Sequence, residues 1–162
     1  FIVGGAALNA EVEEFLHRIK FPITVGYGMT ECGPLISHRL YTDGYIPTSA
    51  GRLLTDLCEC KILSPDPSKI PGEILIRGEQ VMKGYYKNPE ATADVFTEDG
   101  FFRTGDVGYM DQDGYIFITG RKKNVIILSN GKNVFPEELE EHLSRNSAIL
   151  AARQRRSPAM IW

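Results

Sequence analysis

The sequence has few cysteines and no excess of positive charge, and each shortage excludes a class of protein. Its three cysteines among 162 residues, Cys32, Cys58 and Cys60, are too few for a disulfide scaffold. Their odd number favours reduced thiols and a cytoplasmic location. The 18 Lys and Arg residues are outnumbered by 21 Asp and Glu residues, for a net charge of −3. A nucleic-acid partner is therefore not expected, because such proteins present a basic surface.

Long apolar runs are also missing. Stretches such as Val125–Leu128 are far too short to cross a bilayer. The content of 43% hydrophobic and 24% charged residues is that of an ordinary globular protein with a core. The sequence begins without Met, and Phe1-Ile2-Val3 is typical of a strand entered midway. We therefore expect a segment of a longer protein.

The first 45 residues predict a strand–helix–strand unit. Residues 1–3 read as a strand, and Ile23-Thr24-Val25 as a second one. Between them, Asn9 is a candidate cap for a helix over residues 10–19, whose apolar residues recur at helical spacing. Ligands bind beyond the carboxyl ends of the strands in such units.

From about residue 50 the pattern becomes β-rich. Alternating segments at 57–63, 72–77 and 114–119 are separated by turn sequences and predict a small antiparallel sheet or barrel. A short helix is expected from about Pro89 to Phe96. Further on, residues 125–128 and 133–135 predict a hairpin around Asn130-Gly131.

A helix should follow the hairpin, with Pro136 in its first turn and its end near Leu143. The tail from Ser144 has no clear period.

The segment Gly26–Glu31 is the first motif that suggests chemistry. Its two glycines, Gly26 and Gly28, let backbone approach a ligand, and Tyr27 offers a stacking face for a base. Thr30 offers a hydroxyl to a phosphate, and Glu31 a hard oxygen to Mg²⁺. The alternative is a turn with a buried Tyr and a capping Thr.

Two later segments add candidate ligand-binding residues. In Arg103-Thr104-Gly105-Asp106, the Asp follows a Gly turn and can accept both hydroxyls of a ribose, although turn Asp residues often bond their own backbone. Arg121 is a candidate phosphate or ribose contact, and Lys123 a candidate pivot; the alternative is a solvated basic face. The segment 84–92 indicates structure and not catalysis.

The order of the segments is more specific than any one of them. GGAAL, GYGMTE, GEILIRG with MKGYYKNPEAT, DGFFRTGD, DGYIFITGRKKNVI and NGKNVFPEELE follow one another. In this order they closely resemble the adenylate-forming superfamily, which includes acyl-CoA synthetases, adenylation domains of peptide synthetases and luciferases. Within it the sequence is most similar to bacterial long-chain fatty acid–CoA ligases. The resemblance covers residues 1 to about 143.

The resemblance implies a mixed α+β or α/β fold. Residues 1–122 would form the end of the large nucleotide-binding domain, with an α/β unit over 1–45 and a β-rich part over 50–122. Residues 123–162 would form the hinge and the incomplete start of the small C-terminal domain.

The resemblance also implies site residues. Gly4, Gly5 and Ala6 would line the adenine pocket, Tyr27 beside Gly28 would stack on adenine, and Asp106 would bind ribose. Thr30 and Glu31 would meet the α-phosphate and Mg²⁺.

Three further residues in the second half carry implied roles. Arg121 would contact ribose or phosphate, Lys123 would be the hinge, and Gly131 would help to form the pantetheine tunnel.

The implied reaction joins a carboxylic acid, in the first instance a fatty acid, to CoA with ATP and Mg²⁺ through an acyl-adenylate. Peripheral membrane contact would follow from such a substrate. A peptide-synthetase adenylation domain, an aryl-CoA ligase and a non-catalytic nucleotide- or CoA-binding module remain alternatives.

Two elements of the family are absent from the sequence, namely a Gly/Ser/Thr-rich phosphate loop ending in Lys and the lysine near the family's C-terminus. We therefore expect the chain alone to be unable to form acyl-adenylate.

Overall fold

The computed structural model describes residues 1–5, 8–128, 133–136, 139 and 143. Eight strands form one sheet in the order β1-β2-β3-β4-β8-β7-β6-β5. These strands are β1 (Ile2–Val3), β2 (Thr24–Tyr27), β3 (Ser37–Arg39), β4 (Gly51–Leu53), β5 (Cys58–Leu63), β6 (Gly72–Gly78), β7 (Phe102–Met110) and β8 (Tyr115–Arg121). The helices are α1 (Ala10–Arg18) and α2 (Pro89–Val95), and β9 (Ile126–Ile127) pairs with β10 (Asn133–Val134) in a separate sheet.

The predicted strand–helix–strand unit is confirmed. Strands β1 and β2 are parallel, whereas all other neighbours in the large sheet are antiparallel. Asn9 caps α1 as expected, because its side-chain oxygen accepts hydrogen bonds from the backbone N–H groups of Glu11 and Val12. The second strand extends to Tyr27, so Gly26 and Tyr27 lie inside β2 and not in a loop after it.

The contact between α1 and the sheet does not depend mainly on the apolar side of the helix. Val12, Phe15 and Ile19 remain about half exposed, at 48, 52 and 54%. The buried residue of α1 is Glu13, whose carboxylate pairs with the buried guanidinium of Arg39 on β3. A buried ion pair therefore ties α1 to the sheet.

The β-rich part is an antiparallel sheet, as expected, but it contains strands that the pattern did not reveal. Strand β7 was missed because Arg103-Thr104-Gly105-Asp106 and Gly108 interrupt its alternation of polar and apolar residues. Strands β3 and β4 are only three residues long each. Because β4 pairs with both β3 and β8, the same sheet runs through the predicted α/β unit and the β-rich part. The domain division stays a prediction.

The core lies under the middle of the sheet. Its most buried members are Ile36, Ile74, Ile76 and Ile116, and they are joined by the other buried apolar residues Tyr27, Cys32, Cys58, Ile62 and Phe102. The three cysteines are free. Tyr27 and Met29 of the Gly26–Glu31 motif, and Cys32 directly after it, therefore belong to this core or pack against it.

The chain turns sharply after β8. A 3₁₀ turn, Lys122–Asn124, precedes β9, which pairs antiparallel with β10 through Ile127 opposite Asn133 and Ile126 opposite Val134. The two strands of the predicted hairpin are confirmed. The Asn130-Gly131 turn, most of the helix predicted after Pro136 and the tail from Ser144 lie outside the described residues.

Candidate functional site

A bulge in β7 sets the position of Asp106 in the sheet. Glu73 of β6 lies opposite Val107 of β7, but Leu75 lies opposite Arg103, so the register shifts within this stretch. The bulge contains Gly105, whose φ of 71° is a left-handed conformation that favours glycine. The hydroxyl of Thr104 donates to the Ile74 carbonyl over 2.8 Å and accepts from the Asp106 N–H over 3.0 Å. The threonine therefore replaces hydrogen bonds that the irregular ladder loses.

The buried carboxylate of Asp106 is the centre of a polar cluster with the buried Tyr27 and the half-exposed Arg121. Its Oδ2 accepts a 2.8 Å hydrogen bond from the Tyr27 hydroxyl, and its Oδ1 lies 2.8 Å from Nε of Arg121. Burial raises the pKa of Asp106, while the hydrogen bond from Tyr27 and the charge of Arg121 act in the opposite direction. Three residues predicted from separate motifs thus meet through β2, β7 and β8. Their roles toward a nucleotide stay predictions.

Tyr27 itself is buried, with 8% of its surface exposed. Burial, together with the neighbouring Asp106, raises the pKa of its hydroxyl. The geometry matches the alternative of a buried tyrosine that the sequence left open, and stacking on a base stays a prediction. The adjacent Gly28 is required by packing, because a Cβ there would lie 1.8 Å from the Pro34 carbonyl oxygen.

The segment after β2 forms a 3₁₀ turn, Thr30–Cys32, that presents Glu31 to the cleft. The turn begins at Met29 without a side-chain cap, so the alternative of a capping Thr30 is wrong; Thr30 is exposed. Oε1 of Glu31 accepts a 3.1 Å hydrogen bond from the Tyr85 hydroxyl. The Glu31 carbonyl also accepts a 2.7 Å bond from the Met82 N–H. The loop after β6 therefore holds Glu31 at both its side chain and its backbone.

A cleft of about 540 Å³ opens beside this turn. Its charged lining residues are Glu31, Glu73, Asp94, Arg103, Arg121 and Lys122, and Tyr85, Thr104 and Gly105 also contribute. Carboxylates and cations both line this cavity, which suits a polar ligand that carries phosphate groups and needs hydrogen-bond acceptors as well.

The remaining predicted site residues lie apart from this cleft or outside the described ranges. Gly4 and Gly5 are exposed at the end of β1, where Gly5 has a φ of 83°. Lys123 is exposed in the 3₁₀ turn after β8. Ala6 and Gly131 are outside the described residues.

Sequence reasoning missed several residues that contribute to the cleft, and Tyr85 and Glu73 are two of them. Tyr85 belongs to the segment 84–92, which was interpreted as structural. Glu73 stands in the otherwise apolar run Gly72–Ile76, and its carboxylate is buried there. A charge inside a strand that is buried on both sides was the signal that could have identified Glu73.

The described residues lack two features that would bear on function. They contain no helix long and apolar enough to cross a membrane. They also contain no group of three or more His, Cys, Asp or Glu side chains placed to hold a metal ion.

A family model described as AMP-binding enzyme matches residues 1–86, slightly more than half of the sequence. The chain therefore belongs to the AMP-binding enzyme family. This confirms the superfamily that the order of motifs indicated.

Among curated proteins, the chain is 41% identical over 162 residues to 4-coumarate–CoA ligase 5 of Oryza sativa subsp. japonica, covering 93% of this chain and 30% of that enzyme. It is 38% identical over 163 residues to the chloroplastic long-chain-fatty-acid–acyl-carrier-protein ligase AEE15 of Arabidopsis thaliana, covering 91% of this chain and 22% of that protein. The chain thus spans less than a third of the length of these relatives. Relatives named for 4-coumarate and for fatty acids match at similar identity, so the expected closer similarity to bacterial long-chain fatty acid–CoA ligases is not confirmed.

Solved structures show the same fold. The o-succinylbenzoate CoA synthetase (MenE) of Bacillus subtilis in complex with the acyl-adenylate intermediate OSB-AMP has a TM-score of 0.80 and 31% identity, covering 91% of this chain and 31% of that chain. The same enzyme in complex with ATP and magnesium ion has a TM-score of 0.76 and 32% identity, covering 86% and 30%. The predicted fold class, part of the large domain of an adenylate-forming enzyme, is confirmed.

Proposed function

We propose that this chain is part of an AMP-forming acid–CoA ligase, and the longer ligase is called the parent protein below. In the first step, a carboxylate oxygen of the acid attacks the α-phosphorus of ATP, and the bond to pyrophosphate breaks. In the second step, the CoA thiol attacks the acyl carbon, and AMP leaves with the pair of electrons from the acyl–oxygen bond. The two steps balance to acid, ATP and CoA giving thioester, AMP and pyrophosphate.

One observation carries this proposal: Tyr27, Asp106 and Arg121 come from three distant motifs and form a single hydrogen-bonded cluster. Arg121 also lines the cleft that contains Glu31. A carboxylate beside a guanidinium supplies acceptors for ribose hydroxyls and a donor for phosphate oxygens. This supports placing the ribose and the α-phosphate of ATP between Asp106 and Glu31.

The donor set supports Mg²⁺ as a partner of the nucleotide and not as a metal held by the protein alone. Mg²⁺ is usually bound through one or two carboxylates together with substrate phosphates and water. Glu31 supplies one carboxylate facing the cleft, and the described residues do not form a complete acidic site. When bound, Mg²⁺ would offset phosphate charge. Glu31 would orient it, and Arg121 would add positive charge.

The identity of the acid belongs to this proposal. A long-chain fatty acid is the first candidate, because the motifs TGRKKNVIILSNGKNVFPEELE and GYGMTECGPLIS resemble those ligases. An aryl acid is the second candidate, favoured by the 41% identity to a 4-coumarate–CoA ligase. The three free cysteines support a cytoplasmic location for the parent protein.

The test is AMP and thioester formation by the purified parent protein with ATP, Mg²⁺, CoA and a panel of acids. The panel contains fatty acids of increasing chain length and 4-coumarate, so that the preferred acid separates the two candidates. Arg121→Ala should abolish most activity, and Glu59→Gln, which removes an exposed ion pair with Arg77, is the matched control. If ATP binds but no acid yields AMP, the ligase assignment is wrong and a non-catalytic nucleotide-binding module replaces it.

A further inference from the structure

The carboxylate of Glu73 lies between two cations at the edge of the cleft. Its Oε2 is 2.9 Å from Nη1 of Arg103 and 2.8 Å from Nζ of Lys122. The Glu73 side chain is only 6% exposed, whereas the side chains of Arg103 and Lys122 are 36 and 57% exposed. A buried carboxylate is stable only when it is paired, and here two cations share one of its oxygens.

The two cations belong to different parts of the fold. Arg103 lies on β7, the strand that neighbours β6. Lys122 begins the 3₁₀ turn after β8, and β7 separates β8 from β6 in the sheet. The side chain of Lys122 therefore reaches past a neighbouring strand to contact Glu73. This contact fixes the first residue of the turn to the sheet, immediately before Lys123.

We propose that Glu73 is a positioning residue that anchors the turn at Lys122–Asn124 through Lys122 and so confines the pivot of the small domain to Lys123 and the residues after it. The inference rests on the proposed function and on the hinge role that the resemblance implies for Lys123, about which the small domain would take one orientation for each step. With Lys122 released, bonds before Lys123 also become free to rotate. The second orientation is then poorly defined, and transfer of the acyl group to CoA slows.

The first test separates the two steps in the parent protein. Lys122→Met leaves Glu73 paired with Arg103, so the buried carboxylate keeps a partner. We expect thioester formation from preformed acyl-adenylate to slow about tenfold, and acyl-adenylate formation, measured in a single turnover, to slow by a clearly smaller factor. Lys122→Arg, which can still reach the carboxylate, should restore the second step.

A matched control is Lys61→Met. Lys61 makes a 3.1 Å ion pair with Asp99, and its side chain is 50% exposed, comparable to that of Lys122. Its loss should change neither step. Glu73→Gln serves as a second variant, because it removes the acceptor of Lys122 from the other side and should show the same selective loss if it folds.

The outcomes are distinct. Equal slowing of both steps by Lys122→Met, or no slowing of either, would overturn the anchoring role while leaving the ligase assignment intact. Failure of the wild-type parent protein to form acyl-adenylate from any acid would instead overturn the proposed function, and this inference with it.

Discussion

Asp106 lies in an environment unlike that of an ordinary surface carboxylate. It is buried, it accepts a hydrogen bond from Tyr27, and it pairs with Arg121. Its pKa is nevertheless raised, because burial raises it by more than the hydrogen bond from Tyr27 and the charge of Arg121 lower it. The carboxylate is therefore retained at a cost in folding stability, as is common for residues that bind ligands.

Asp106→Asn should remove the nucleotide-dependent activity of the parent protein while leaving the fold at least as stable as in the wild type. The folded-state pKa of Asp106 lies above its unfolded value of about 3.9, so wild-type stability falls as the pH rises between these two values. The free energy of unfolding of the variant, measured in urea from pH 3 to about pH 8, should rise relative to that of the wild type as the pH rises and be at least as high at the upper end. A variant that is clearly less stable at neutral pH would contradict this account.

Tyr85 acts on Glu31 through a single hydrogen bond. Tyr85→Phe keeps the ring but removes the donor to Glu31 Oε1. In the parent protein, the Mg²⁺ concentration for half-maximal adenylation should rise about tenfold, since a side chain that orients a metal-binding carboxylate has effects of this size. The neighbouring Tyr86 is 87% exposed, so Tyr86→Phe is the control and should have no effect. Equal effects of the two variants would argue against the orienting role.

At the scale of elements, the path from β2 into the 3₁₀ turn depends on close backbone packing at Gly28. A Cβ at Gly28 would lie 1.8 Å from the Pro34 carbonyl oxygen, which belongs to backbone and cannot rotate away. This packing fixes the segment that carries Thr30 and Glu31. A change in it would disturb the site and the fold together.

Gly28→Ala should destabilise the chain by about 3 kcal/mol or more, as strong overpacking does. Gly26→Ala, in strand β2, is the matched control, because its Cβ would lie 3.1 Å from the end of the flexible Leu35 side chain and 3.9 Å, an ordinary contact distance, from the Ser37 carbonyl oxygen. The comparison requires thermal or urea unfolding of both variants. A cost at Gly28 no greater than that at Gly26 would show that the backbone around Pro34 yields.

At the scale of the whole molecule, the chain carries only part of what the proposed reaction needs. It spans 30% of the length of the rice enzyme. Apolar residues in and next to β1 and α1 are exposed, including Phe1, Ile2, Phe15 and Ile19. In a longer protein, these residues would supply a surface for further packing. The Asp106 cluster and the lining of the cleft are nevertheless made by described residues of this chain.

The 162-residue chain alone should therefore bind ATP weakly and catalyse no ATP–pyrophosphate exchange with any acid of the panel. The physical reason is that the phosphate loop and the distant lysine supply charge to the transition state, and the sequence contains neither. Exchange by the isolated chain above that of its Asp106→Ala variant would overturn this expectation.

The sequence predicted those features that depend on local pattern. The cap at Asn9, the short helix after Asn88 and the strands flanking Asn130-Gly131 follow from side chains that interact with nearby backbone or from regular alternation. It failed at β7, because the bulge that positions Asp106 breaks the alternation that identifies a strand. The helical spacing of apolar residues identified α1 but gave no sign that its buried residue is Glu13, paired with Arg39.

The sequence by itself therefore determined the family and the fold class, and it identified Tyr27, Asp106 and Arg121 as candidate site residues. Motif order and local periodicity suffice for this, because both depend only on the order of residues in the chain. Only the tertiary structure decided that Tyr27 bonds Asp106, that Tyr85 holds Glu31 and that Glu73 binds both Arg103 and Lys122. These contacts join residues far apart in sequence, and their formation depends on strand register and burial, which no local pattern encodes.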